Sequence, residues 1–142
     1  MNRPQLEQKL TDTFLRVIAD VILFNHQVNE QLGLGPSDNQ FLTYLQQLGP
    51  LTPGRLAELT GYTTGTVTGV IDRLEDAGYV RRERDPDDRR RVIVSLNEEA
   101  VMRDMAPHYG EKAEVLSRAI ARFDKAELET ITRFLESTLP EQ

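Results

Sequence analysis

The chain contains no cysteine. That excludes disulfides, thiolate metal sites and redox sensing through a thiol. Lysine is scarce as well, with three lysines against fourteen arginines. No apolar run approaches the roughly 18 residues that a membrane-spanning helix needs, and the richest, VIADVILF at 17–24, is broken by Asp20. The opening MNRPQLEQKL lacks the charged-then-apolar layout of a secretory signal. No nucleophile elbow, metal-ligand array or phosphate-binding loop is present, since TGYTTGT has glycines but no following lysine. The two histidines form no tight cluster with acids, so no structural zinc is expected. The expectation is a cytoplasmic protein that is not an enzyme and has no cofactor, metal or membrane partner.

Positive charge is in deficit too: the formal net charge is −6. An acidic balance argues mildly against nucleic acid, whose binders carry a basic face. One stretch opposes the trend. RRERDPDDRRR, residues 81–91, holds six of the seventeen basic side chains around a short acidic turn. A solvated charge run is the plain reading of such a segment, and its flanks decide whether it is more.

At 142 residues, 39% hydrophobic and 28% charged, the chain suits one globular domain, alone or with an appended assembly element. No internal repeat or low-complexity segment interrupts it. Residues 4–32 read as one long helix: Leu6, Leu10, Phe14, Ile18 and Ile22 recur every four residues, joined by Val17, Val21 and Phe24. That band is wide for a surface helix and predicts burial on more than one side. GLGPS stops it, and a short helix follows with Phe41, Leu42, Leu45 and Leu48 on one face. Thr52 and Pro53 open the next helix, whose inner face is Leu56 and Leu59, and Gly61 ends it. Thr63 caps another, with Val67, Val70, Ile71 and Leu74 at i, i+3, i+4 and i+7, stopped by Gly78. Two short helices joined by a tight glycine-containing turn make a helix-turn-helix. Because the inner face is fully assigned, Thr64, Gly65, Thr68 and Gly69 face outward.

YVRRER and RRVIVSL alternate as strands around the turn residues DPDD, so the arginine-rich stretch is the tip and stems of a β-hairpin. A hairpin directly after a helix-turn-helix is a winged helix. Asn97 caps a third long helical segment running to about Arg122, and Asp124 with Glu127 forms a capping box for a last helix carrying Leu128, Ile131, Phe134, Leu135 and Leu139. The fold expected is mainly α with a small β-hairpin wing. It divides into a long first helix (1–35), a winged helix-turn-helix lobe (36–97), and a linker helix with a C-terminal helix (98–142), the two terminal helices being the dimerisation elements that the family resemblance given next implies.

The segments LTPGRLAELTG, TVTGVIDRLEDAGYV and RRERDPDDRRRVIVSLN, in this order and spacing, resemble the MarR (multiple antibiotic resistance regulator) family of bacterial transcription factors, and the resemblance runs over essentially the whole chain. It implies a homodimer with intertwined terminal helices whose two lobes bind a pseudo-palindromic site on double-stranded DNA, commonly as a repressor. The first and last helices carry more apolar surface than one small chain can cover, which agrees. A winged-helix protein-interaction module without DNA binding is the alternative.

Within the recognition helix, Thr63, Thr64, Thr66 and Thr68 offer hydroxyls to phosphates or base edges, and a threonine methyl can pack on a thymine methyl. Capping and solvation are the plainer roles for such a cluster. Gly65 and Gly69 depart from the expected pattern, and relatives often carry a longer or basic side chain where Gly69 stands; either the backbone approaches DNA closely there or direct readout is thin. Arg73 has two readings, a phosphate contact or a pair with Asp76 or another acid. The resemblance puts the minor-groove arginine of the wing on Arg90, with Arg89 and Arg91 beside it and Asp88 bracing the turn through an ion pair with Arg90 or Arg89. Arg81, Arg82, Arg84 and Arg91, on the stems, are phosphate contacts or solvated. It also implies a crevice for a small aromatic or phenolic effector. His26, Tyr44 and Met105 are its candidate lining, with Met102, His108 and Tyr109 on the same helices, although packing is the commoner role of such residues.

Overall fold

The computed structural model describes residues 1–140; the last two positions of the expected 98–142 segment lie outside the described residues. The element order is α1 (Arg3–Leu32), α2 (Pro36–Leu48), α3 (Pro53–Thr60), α4 (Thr64–Asp76), β1 (Val80–Arg84), β2 (Val92–Leu96), α5 (Glu98–Asp104), α6 (Ala106–Ile120) and α7 (Lys125–Ser137). Two compact units result, one from Met1 to Met105 and one from Ala106 onward.

The first unit is built on the inner faces of α2, α3 and α4. Phe41, Leu56, Val67, Val70, Ile71, Leu74 and Val94 are fully buried, and burying each such side chain is worth about 1.5–3 kcal/mol. The four-residue set on α4 falls inside as its spacing predicts. Leu48, the last residue of α2, is 47% exposed. Thr52 and Thr63 cap α3 and α4 by accepting the amides of Arg55 and Thr66. Gly61 turns the chain between them at φ 71°, a left-handed conformation that a side chain resists.

The wing is a two-stranded antiparallel hairpin in which Val80 faces Leu96, Arg82 faces Val94 and Arg84 faces Val92. Leu51 adds a one-residue bridge on the β2 side, exchanging both backbone hydrogen bonds with Val94 at 3.1 and 2.7 Å. Asn97 then caps α5 through the Ala100 amide and donates its side-chain amide to the Gly78 carbonyl, tying the end of α4 to the start of α5.

One expectation needs correction. The long helix predicted from Asn97 to about Arg122 is interrupted at Met105, giving α5 and α6. Pro107 is the reason: it has no N–H to continue the helical ladder and its ring crowds the preceding turn. Within the first unit most of the apolar band of α1 is exposed. Val28 and Asn29, at its C-terminal end, are its buried residues, whereas Leu10 is 51% and Ile22 64% exposed. In the second unit α7 starts with the predicted Asp124–Glu127 capping box and buries no residue; Leu139 lies beyond its last turn.

Candidate nucleic-acid interface

The outer face of α4 carries Thr64, Gly65 and Thr68, all exposed, with Gly69 half-buried. The threonines divide by role. Thr63 accepts the Thr66 amide at 3.3 Å and donates its hydroxyl to Thr66 Oγ1 at 3.0 Å, so this pair shapes the helix start. The Thr64 and Thr68 hydroxyls make no hydrogen bond among the described residues and stand one turn apart on the exposed face. A Cβ on Gly65 would meet open space, and on Gly69 only the Arg73 side chain at 3.8 Å. Internal packing therefore does not require either glycine.

Arg73 pairs neither with Asp76 nor with any other acid of its own helix. Its Nη2 lies 3.0 Å from Asp38 Oδ1 on α2, while Asp38 Oδ2 accepts the Gly35 amide at 2.8 Å. Asp38 is 4% exposed at the side chain and Arg73 59%. The arginine thus holds a buried carboxylate that caps α2, and leaves part of its guanidinium in solvent.

At the wing tip the acids fold the turn. Asp85 accepts the Asp87 amide at 2.9 Å, and the Asp85 amide donates to the Arg91 carbonyl at 2.9 Å. Asp88 does brace the tip, but through the backbone: its Oδ1 accepts the Arg90 amide at 3.0 Å and its carbonyl accepts the Arg91 amide at 2.9 Å. The ion pair with Arg89 or Arg90 does not form, because a short carboxylate two residues before an amide closes on that amide first. The stem arginines are committed. Arg81 pairs with Glu83 at 2.8 Å, Arg91 sits 3.9 Å from Asp85, and Arg84 donates to the Arg89 carbonyl at 3.0 Å. Arg82 holds Asp72 at 2.6 Å and Glu75 at 2.9 Å. Arg89 and Arg90 are exposed, and their guanidinium groups have no partner among the described residues.

His26 and Tyr44 are brought together in a hollow of about 490 Å³ between α1 and α2, lined also by Asn25, Asn29, Asn39 and Gln40. Met105 is not in its lining; it is buried at the end of α5. His26 faces Glu30 at 3.4 Å and Tyr44 donates to the Leu59 carbonyl at 3.5 Å. No sequence signal marked the Asp38–Arg73 link, 35 residues apart, or the hydrogen bond from Tyr79 to Asp104 at 3.0 Å. Arg103 beside Asp104, by its hydrogen bonds, holds that carboxyl below its usual range, while burial and then Asp104 push the Tyr79 phenol up.

Two helices, a capped turn between them and a wing with exposed arginines at its tip define a winged helix-turn-helix protein. The family model described as MarR family matches residues 32–91. The HTH-type transcriptional regulator YcgE of Bacillus subtilis (strain 168) is 43% identical over 93 residues, which are 66% of this chain and 60% of that protein. The HTH-type transcriptional regulator Mb0904 of Mycobacterium bovis is 33% identical over 96 residues, 63% of this chain and 67% of that protein. A solved MarR transcriptional regulator from Methanosarcina mazei Go1 superposes with a TM-score of 0.60 at 27% identity, covering 91% of this chain and 92% of that one. The chain spans about 60% of the length of the curated relatives first matched. It belongs to the MarR family of transcriptional regulators.

Proposed function

We propose that the chain binds double-stranded DNA as a homodimer at a pseudo-palindromic operator, in the cytoplasm, and represses by occupying it. The observation that carries the reading is the pair of uncommitted guanidinium groups, Arg89 and Arg90, at the tip of a wing whose other arginines are internally engaged. In this reading Thr64 and Thr68 meet the major groove, Gly65 and Gly69 let the backbone come close, and Thr63 and Thr66 preset the helix start. Arg90 enters the minor groove, where narrow A·T tracts concentrate negative potential, and Arg89 and Arg91 lie against the flanking phosphates. Exposed Leu10, Ile18 and Ile22 on α1 and Leu135 on α7 supply apolar surface for the second copy. Repression needs nothing beyond occupancy, which makes it the simplest sign of regulation. The hollow at His26 and Tyr44 is of a size that suits a small aromatic or phenolic effector.

Footprinting on the DNA flanking the chain's own gene tests this. A protected, roughly palindromic site whose half-sites are about one helical turn apart is expected. Absence of any protected site at low salt would remove the reading. The second reading, a protein-interaction module, is favoured by one observation: Arg73, Arg81, Arg82 and Arg91 all face acids of this chain.

A further inference from the structure

Arg82 lies on β1 with its side chain 29% exposed, the most enclosed of the wing arginines that form ion pairs. Its guanidinium forks between two carboxylates of α4, donating from Nη2 to Asp72 and from Nη1 to Glu75. Its backbone amide, on the edge of β1 that β2 does not use, donates to the other Glu75 oxygen at 2.9 Å. Three hydrogen bonds thus join the wing root to the recognition helix. A two-stranded hairpin has little stability of its own. This one is held on the β2 side by the Leu51 bridge and on the β1 side by the Arg82 fork.

The acids also matter by position. Thr64, Thr68 and Asp72 are four residues apart, so Asp72 continues the exposed stripe of α4 one turn beyond the two free hydroxyls. Asp72 and Glu75 sit near the C-terminal end of the helix, where negative charge is disfavoured by the helix dipole. Beside a phosphate backbone they would repel it.

We propose that Arg82 is a positioning residue for DNA recognition: by bridging Asp72 and Glu75 it fixes the wing to α4 and masks two carboxylates on the DNA-facing helix, without itself contacting DNA. This rests on the DNA-binding reading above and names how helix and wing reach the operator as one rigid body. Lysine cannot replace it, because a single ammonium does not span two carboxylates in a planar fork.

The test is a double-mutant cycle on the full chain, with operator affinity compared for wild type, Arg82→Ala, the Asp72→Asn/Glu75→Gln pair, and all three together. Arg82→Ala alone should weaken binding on the order of tenfold, and most of that loss should vanish in the neutralised background, since coupled residues are non-additive. Arg82→Lys should recover only a minor part, and if Arg82→Ala fails to fold, the cycle is run with Arg82→Lys. Equal losses in both backgrounds, or full recovery by lysine, would make Arg82 a DNA contact or a diffuse charge and overturn the proposal. Amide hydrogen exchange without DNA separates this from failure of the DNA-binding reading. Arg82→Ala should speed exchange in the wing at 84–92 while leaving the α4 core amides protected. Unchanged wing exchange overturns the bridge even in a protein that binds its operator.

Discussion

At the scale of single residues, the six wing arginines divide sharply by what their side chains touch. Arg90→Ala should weaken operator binding by roughly 1–3 kcal/mol and leave thermal stability unchanged, because a tip side chain supports no core. Arg84→Ala should cost less: its guanidinium holds the Arg89 carbonyl, so its loss loosens the tip without removing a groove contact. Equal losses at Arg84 and Arg90, measured by anisotropy titration, would mean that the segment acts as a diffuse positive patch. Gly65→Ala makes the complementary test. With open space around the added methyl group, it should stabilise α4 by about 0.5–1 kcal/mol in thermal unfolding. It should also weaken operator binding; unchanged binding would show that the backbone does not approach DNA there. A third residue-scale expectation concerns pH. The Tyr79 phenol is raised from its ordinary value of 10.0, so its contribution to stability is present below that value and lost as pH rises through the higher folded one. Ultraviolet difference titration should show a late-titrating component that Tyr79→Phe removes.

Elements were the most legible scale. Helix-period spacing found the inner face of α4, and threonine caps and left-handed glycines marked α3 and α4, because these signals are local and physical. The hairpin was legible through its DPDD turn. What could not be read there was long-range chemistry: nothing near Arg73 points to Asp38, and nothing near Arg82 says that it turns inward to Asp72 and Glu75. Charge patterning counts side chains, whereas the fold decides which are neutralised. The break at Met105 was readable in principle, since Pro107 stands two residues on, but a continuous run of helix formers masked it. At this scale Ile71→Ala should destabilise the first unit by about 2–5 kcal/mol, judged by denaturant midpoint, because Ile71 is 1% exposed at the centre of α4 packing.

For the whole molecule, the uncovered apolar faces of α1 predict self-association. Leu10→Asp combined with Ile18→Asp should shift sedimentation from dimer to monomer and abolish operator binding; a variant that stays dimeric would place the interface elsewhere. The commitment of half of the wing arginines to acids of the same chain has a further consequence, one of competition across a genome. With Arg89, Arg90 and Arg91 the wing contacts expected of each subunit, six in a dimer, the log–log salt slope should be about −5. The remaining surface, on a chain of net charge −6, should repel bulk DNA. Such a protein would discriminate less by gripping its own site hard than by ignoring every other one. It should spend little time sliding on random sequence, and its operator affinity should fall less with added salt than that of a regulator making about ten phosphate contacts.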